Sequence, residues 1–306
     1  MTSQALVIGI SGPSSSGKTT LARLLQRVFS PALSKTFIIH EDDFYVPDNQ
    51  IPYTTTPSGK TLQDWDCVEA LDITRLSRAL SYIHSTGSLP DKLKSIQDLN
   101  EDADSGVSLE TVERLRRFVE GRLASSTPST VGKGSDDRRE RTLAFLEGIL
   151  LYAPKADKGH VLRPVNDNID VRLFLPTAYE DVKVRREARS GYVTSGPAQE
   201  LPLPQRNSAS DGSGEGEEGQ QTFWEDPPGY VDNIVWPHYV RDHAWLLVPE
   251  GEQDVNSAEL VRKAGSGTNV RTDVGIAVAP GQGSRPMTEI LTWAVEEVLK
   301  CWERVQ

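Results

Sequence analysis

The chain has 306 residues, with 33 basic against 44 acidic side chains and a net charge of -11 at neutral pH. That length suits one large domain or two small ones, and 37% hydrophobic content excludes global disorder. The acidic balance speaks against an extended nucleic-acid backbone as partner, and two cysteines, Cys67 and Cys301, exclude a disulfide framework or a cysteine zinc site.

No run approaches the roughly 18 consecutive apolar residues of a membrane helix. The amino end lacks the basic start and long apolar stretch of a signal peptide. The expectation is a reduced cytoplasmic or nuclear protein with neither membrane nor nucleic acid as partner.

In chain order, Ala5 to Ile10 is an apolar, β-branched run and predicts a buried strand. A Gly/Ser/Pro turn follows, Ser11 to Gly17. Leu21, Leu24, Leu25, Val28 and Phe29 then recur at helical spacing and predict a helix from about Lys18 to Phe29. Thr36 to Ile39 predicts a second strand, ending in Glu41, Asp42 and Asp43. Val68 to Leu80 reads as a helix, Thr142 to Leu146 as a third strand ending at Glu147, and Ile169 to Leu175 as a fourth. A charged helix runs on through Arg189. Trp245 to Val248 reads as a fifth strand and Met287 to Trp302 as a last helix. Strands alternating with helices imply an α/β fold with right-handed crossovers and a parallel sheet covered on both faces.

Residues 1–306 read as a single domain with two insertions. Residues 85–141 form the first, with one helix expected at Val107 to Arg122. Residues 193–222 form the second, rich in Pro, Ser, Gly and Glu. From Asn207 to Asp226 there are six acids and no base, a composition that predicts disorder. Residues 251–286 are Gly-rich and fit neither pattern.

The strongest signal is Gly12-Pro13-Ser14-Ser15-Ser16-Gly17-Lys18-Thr19, an eight-residue phosphate-loop pattern with a strand before it and a helix after it. Glycines let the backbone curl so that successive N–H groups face phosphate oxygens. The helix amino end adds favourable partial charge. Gly12, Ser14, Ser15, Ser16, Gly17, Lys18, Thr19 and Thr20 are therefore the expected ATP-binding set. Lys18 reaches the β/γ-phosphates, and the Thr19 hydroxyl serves Mg²⁺.

In open α/β sheets ligands sit beyond the carboxyl ends of the strands. Glu41-Asp42-Asp43-Phe44-Tyr45 and Glu147 fall there. A phosphoryl transferase needs one carboxylate to orient and deprotonate the acceptor hydroxyl and another at the metal. Asp43 is the choice for the base and Glu147 for the metal shell. Asp66 fits either a ligand or the amino cap of the following helix. Lys183, Arg185, Arg186 and Arg189 form a basic cluster before Gly191 and suit a mobile lid that neutralises the transferred phosphoryl group. His40 reads as a packing residue.

Gly12 to Thr20, Glu41 to Tyr45 (EDDFY), Trp65 to Leu71 (WDCVEAL), Leu146 to Leu151 (LEGILL) and Pro228 to Pro237 (PGYVDNIVWP) occur in this order. Together they resemble nicotinamide riboside kinases, of the uridine-kinase-like branch of P-loop kinases. The resemblance implies a five-stranded parallel sheet with a lid and transfer of the γ-phosphate of ATP to the 5′-hydroxyl of a ribosyl pyridine, in NAD salvage. It implies Asp43 as proton acceptor, and magnesium held by Thr19, Glu147 and Asp43. It also implies ribose binding by Asp66, ring stacking by Trp65 and Tyr192, and Phe44 beside the acceptor. Arg185 and Arg189 match its lid arginines, Arg185 in a catalytic role with Lys18. The adenine-side loop falls near Glu250 and Gly251.

Uridine kinases usually carry an aromatic-Asp-His-Pro element where this chain has Trp65-Asp66-Cys67-Val68, which favours the nicotinamide riboside branch. Two alternatives stand beside it: a uridine, cytidine or other small-molecule kinase of the same fold, and a nucleotide-binding regulator without catalysis. A GTP switch ranks low because the chain has no Asn-Lys-x-Asp segment.

Overall fold

The computed structural model describes residues 4–33, 35–91, 93, 95, 104–125, 142–189, 191–194 and 222–304. Strand β1 (Ala5–Ser11) is buried along its whole length and leads into helix α1 (Lys18–Phe29), within the bounds the apolar spacing predicts. Strand β2 (Lys35–His40) runs into a tight 3-10 turn, Glu41–Phe44. A small antiparallel hairpin follows, β3 (Tyr53–Thr55) with β4 (Thr61–Gln63), which sequence reasoning passed over.

Helix α2 spans Ile73–Thr86, not Val68 to Leu80. Its start is fixed by Asp72, whose carboxylate accepts the Arg75 amide hydrogen at 2.8 Å. The cap of this helix is therefore Asp72, and Asp66 is free of that duty. Helix α3 (Leu109–Ser125) turns Val112, Leu115 and Val119 inward and packs against α1. Strand β5 (Thr142–Gly148), short helix α4 (Arg163–Asn166) and strand β6 (Val171–Phe174) come next.

Helix α5 (Tyr179–Glu187) leads to β7 (Tyr192–Thr194), which pairs antiparallel with β8 (Thr222–Trp224). The acidic stretch 193–222 enters and leaves through this hairpin, and all but its ends lies outside the described residues, as do 126–141 of the first insertion. After β8 come a five-residue π-helical turn, Val231–Val235, and then α6 (Trp236–Asp242), α7 (Ala244–Leu247), α8 (Ser257–Ala264), β9 (Ala277–Val278) and α9 (Met287–Arg304).

The main sheet has five strands in the order β2-β5-β1-β6-β9, all parallel. Its fifth strand is β9 and not Trp245 to Val248, which is largely the helical turn α7. Four apolar residues carry no periodicity that separates helix from strand. Here the turn continues α6, with the Leu246 amide bonded to His243 O at 2.8 Å.

Alternation along the strands builds two cores. Leu6, Ile8, Ile10, Leu143 and Phe145 face α1, α3 and α9, while Ala5, Val7, Ala144 and Leu146 face α2 and α6. The register sets Ser11 beside Gly148 and His40 beside Glu147, so three carboxyl strand ends finish level with one another. No helix among the described residues is long and apolar enough to cross a membrane.

Candidate active site

The P-loop leaves β1 and closes onto α1. Gly12 has φ 154°, and a Cβ there would lie 2.3 Å from the Leu175 carbonyl oxygen, so only glycine fits the close approach of β1 to the end of β6. Ser15 takes φ 59°, a left-handed residue that turns successive amides toward one concave side. The hydroxyls of Ser15 and Ser16 are buried and make no hydrogen bond among the described residues. The Lys18 ammonium donates to the Pro13 carbonyl at 2.9 Å across the loop.

A cleft opens beside this loop. On the loop side it is lined by Ser14, Ser15, Gly17, Lys18, Thr19 and Thr20. Asp42, Glu147, Asp66, Arg186 and Arg189 bring charge to its walls, and Tyr45, Trp65, Tyr192 and Trp224 bring aromatic surface.

Glu147 is the electrostatic hub. Its Oε1 accepts from the Thr19 hydroxyl at 3.1 Å and lies 2.7 Å from His40 Nδ1. Burial pushes the Glu147 pKa up, but the His40 bond, the His40 and Lys18 charges and the Thr19 bond outweigh it and hold the carboxyl below its ordinary value. Burial likewise opposes the charged form of His40, and Glu147 overrides it, so the imidazole pKa is raised. His40 is therefore more than packing: it fixes the orientation of Glu147.

Asp42 is pushed up to about 6, first by burial and then by the charge of Glu147, against the pull of Lys18. Lys18 is lowered by burial, with Glu147, Asp42 and Glu41 opposing. Glu41 turns away from the cleft. Its Oε2 accepts the Ile149 and Leu150 amides at 2.6 and 3.0 Å and so ties the acidic turn after β2 to the loop after β5. Gly148 permits this, because a Cβ there would lie 2.5 Å from the Glu41 side chain.

A second polar group holds the aromatic end. The guanidinium of Arg186 donates to both Asp66 oxygens at 2.8 and 2.9 Å and to Asp226 at 2.6 Å. The Tyr230 hydroxyl accepts the Trp65 amide and donates to the Gln63 carbonyl, each at 3.0 Å. The Pro228-Gly229-Tyr230 segment thereby supports Trp65 from behind.

No protein-family model matches the chain. Nicotinamide riboside kinase of Schizosaccharomyces pombe is 32% identical to it over 248 residues, spanning 81% of this chain and 83% of that protein. The chain belongs to the nicotinamide riboside kinase family. Nicotinamide riboside kinase of Saccharomyces cerevisiae aligns over 98% of both chains at 28% identity. Human nicotinamide riboside kinase 1 is 25% identical over 80% of this chain.

Within this kinase family fold, the cleft gathers Ser14, Ser15, Gly17, Lys18, Thr19, Thr20, Trp65, Asp66, Glu147, Arg189 and Tyr192, all singled out from sequence. Gly12 and Ser16 complete the loop without lining the cleft. Four expected residues lie elsewhere. Asp43 is not on the cleft wall; Asp42 is. Consecutive residues of a 3-10 turn point about 120° apart, so two adjacent acids cannot share one direction. Phe44 is fully buried in the core, with the Arg75 guanidinium 5.2 Å from its ring.

Arg185 is exposed and, among the described residues, donates to the Ser15 carbonyl at 3.4 Å, while Arg186 is the buried arginine of the cleft. In α5 the inward positions are Val182 and Arg186, four residues apart, which leaves Arg185 on another side. Gly251 sits at an exposed turn with φ 83°, away from the cleft wall. The residues missed from sequence are Asp42 as the facing acid, Arg186 as the clamp, His40 behind Glu147, and Trp224.

Proposed function

We propose that this chain transfers the γ-phosphoryl group of ATP to the 5′-hydroxyl of nicotinamide riboside. The observation that supports it best is one cavity containing a P-loop, a facing carboxylate and an aromatic wall. A triphosphate on the loop and a ring-bearing alcohol against Trp65 and Tyr192 then share a single space. Asp42 orients the hydroxyl and takes its proton, a role that its pKa of about 6 suits near neutral pH. Lys18 leaves its internal Pro13 contact and binds phosphate oxygens. The buried hydroxyls of Ser15 and Ser16 gain the partners they lack among the described residues. Arg189 supplies positive charge at the transferred group.

The adjacent Thr19 hydroxyl and Glu147 carboxylate are hard oxygen donors that fit magnesium, an ion usually bound by one or two carboxylates plus substrate phosphates. Together they would hold it, and when bound it neutralises charge on the phosphates. His40 keeps Glu147 ionised and aimed at that position. Residues 1–306 form one kinase domain on this reading, with α5 and the β7–β8 hairpin as its lid.

The test is ADP release by the purified chain with ATP and magnesium, across nicotinamide riboside, nicotinic acid riboside, uridine and cytidine. Turnover is expected with the pyridine ribosides. A preference for pyrimidine nucleosides overturns the acceptor, and tight ATP binding without product from any alcohol overturns the kinase reading.

A further inference from the structure

A second groove lies behind the acidic turn and shares no lining residue with the cleft. One of its walls is a face of α2. Arg75, Arg78 and Tyr82 follow one another at helical spacing and stand in one stripe, with Ala79 among them. Pro90 and Leu93 supply apolar surface from the chain after α2, tied into a turn by the Leu93 amide on the Pro90 carbonyl at 2.9 Å. Phe44, the last residue of the acidic turn, also lines the groove.

Arg75 and Arg78 are exposed, and among the described residues neither guanidinium has a carboxylate partner. Arg75 rests on the Phe44 ring, its guanidinium carbon 5.2 Å from the centroid. Two like charges three residues apart on a helix repel. A phosphate group removes that repulsion and matches the fork geometry of arginine. Beside the charges the groove is apolar, through Ala79, the Tyr82 ring, Pro90 and Leu93. Charge and apolar surface together describe an organic phosphate rather than a bare anion. The acidic stretch of this chain is a poorer match, because residues 207–221 have four acids and no apolar side chain larger than alanine.

The groove is joined to the catalytic turn through the backbone. The Asp72 carboxylate accepts the Arg75 amide hydrogen at 2.8 Å, and the Asp72 amide donates to the Phe44 carbonyl at 2.8 Å. The Val46 amide donates to the Ala70 carbonyl at 2.9 Å, so the chain entering α2 is bonded to the segment that carries Asp42.

We propose that this groove is a second, regulatory ligand site: it binds an organic phosphate monoester bearing a flat or apolar group, with the phosphate on Arg75 and Arg78 and the group against Tyr82 and Leu93. Binding draws the Arg75 guanidinium off the Phe44 ring, loosens the turn that holds Asp42 and lowers turnover. The phosphorylated riboside that the cleft would release belongs to this chemical class. The binding stands on the groove alone, and its effect on turnover rests on the kinase reading.

The probe is phenyl phosphate, titrated calorimetrically into the full chain with the cleft filled by magnesium, a non-hydrolysable ATP analogue and nicotinamide riboside. A single bound equivalent is expected, about ten-fold tighter than inorganic phosphate. Arg78→Gln weakens it by about ten-fold or more. Tyr82→Ala weakens phenyl phosphate several-fold and leaves inorganic phosphate unchanged. Both side chains are exposed, so neither change disturbs the core. In ADP release at saturating ATP and nicotinamide riboside, phenyl phosphate lowers wild-type kcat by about two- to five-fold, the worth of an exposed cation–π contact. Arg78→Gln keeps the wild-type kcat and loses the inhibition, whereas Arg75→Gln starts at the lowered kcat. Binding unchanged in both Arg78→Gln and Tyr82→Ala, or abolished by filling the cleft, overturns the site. A peptide of residues 207–221 that binds while phenyl phosphate does not overturns the ligand class, and binding with kcat unaltered overturns the coupling. Absence of ADP release with every alcohol is a separate result: it removes the kinase reading, while the calorimetry still decides the site.

Discussion

Asp42→Asn and Asp43→Asn are neighbouring changes of identical chemistry, and only the first touches the cleft wall. Loss of a positioned acid–base group slows turnover by about 10² to 10⁴-fold, or about 3–5 kcal/mol of barrier. The same change also relieves the fold of a buried charge. The Asp42 carboxyl rises from 3.8 to about 6, burial being the first cause and Glu147 the second. A folded pKa above the unfolded one means that ionisation costs stability. The penalty is absent below pH 3.8, complete above about 6, and at most about 3 kcal/mol.

Asp42→Asn is therefore expected to raise the melting temperature at pH 8 while removing most turnover, with ATP affinity nearly retained. Asp43→Asn should keep turnover within a few-fold of wild type. In wild type, kcat/KM for the acceptor should fall as pH drops through about 6, where Asp42 takes up its proton. ADP release under saturating ATP, thermal melts at pH 8 and a pH profile from 5 to 9 read all three effects. Equal losses in the two variants, or a crippled Asp43→Asn beside an active Asp42→Asn, would refute the assignment of the acid.

Tyr230→Phe removes the acceptor of the buried Trp65 amide and the donor to Gln63 O. It should cost about 1–3 kcal/mol of stability and raise KM for the nucleoside but not for ATP; an unchanged melting temperature and KM would contradict the bracing role. Glu41 is pushed up from 4.5 to about 8, chiefly by burial, so stability should decline as pH rises across that window. Glu41→Gln retains an oxygen for the Ile149 and Leu150 amides and should flatten the decline, as denaturant unfolding at pH 5 and 8.5 would reveal. Identical slopes in variant and wild type would exclude Glu41 as their source.

The amino-acid sequence by itself determined the P-loop, the first four parallel strands and the acids at their ends. These features are local: a glycine pattern with fixed spacing, β-branched runs, and a helix with one apolar stripe. It also carried the family, through five short motifs in a fixed order. It did not determine direction. Asp42 and Asp43, or Arg185 and Arg186, are equivalent in composition. Which of each pair meets the cleft depends on how a 3-10 turn and a short helix are rotated against the sheet. That rotation is set by distant contacts, such as Glu41 on the amides after β5 and Arg186 between Asp66 and Asp226. The edge strand β9, two residues long, and the Trp224 wall, about 160 positions from its Trp65 neighbour, likewise exist only because the tertiary structure brings remote segments together.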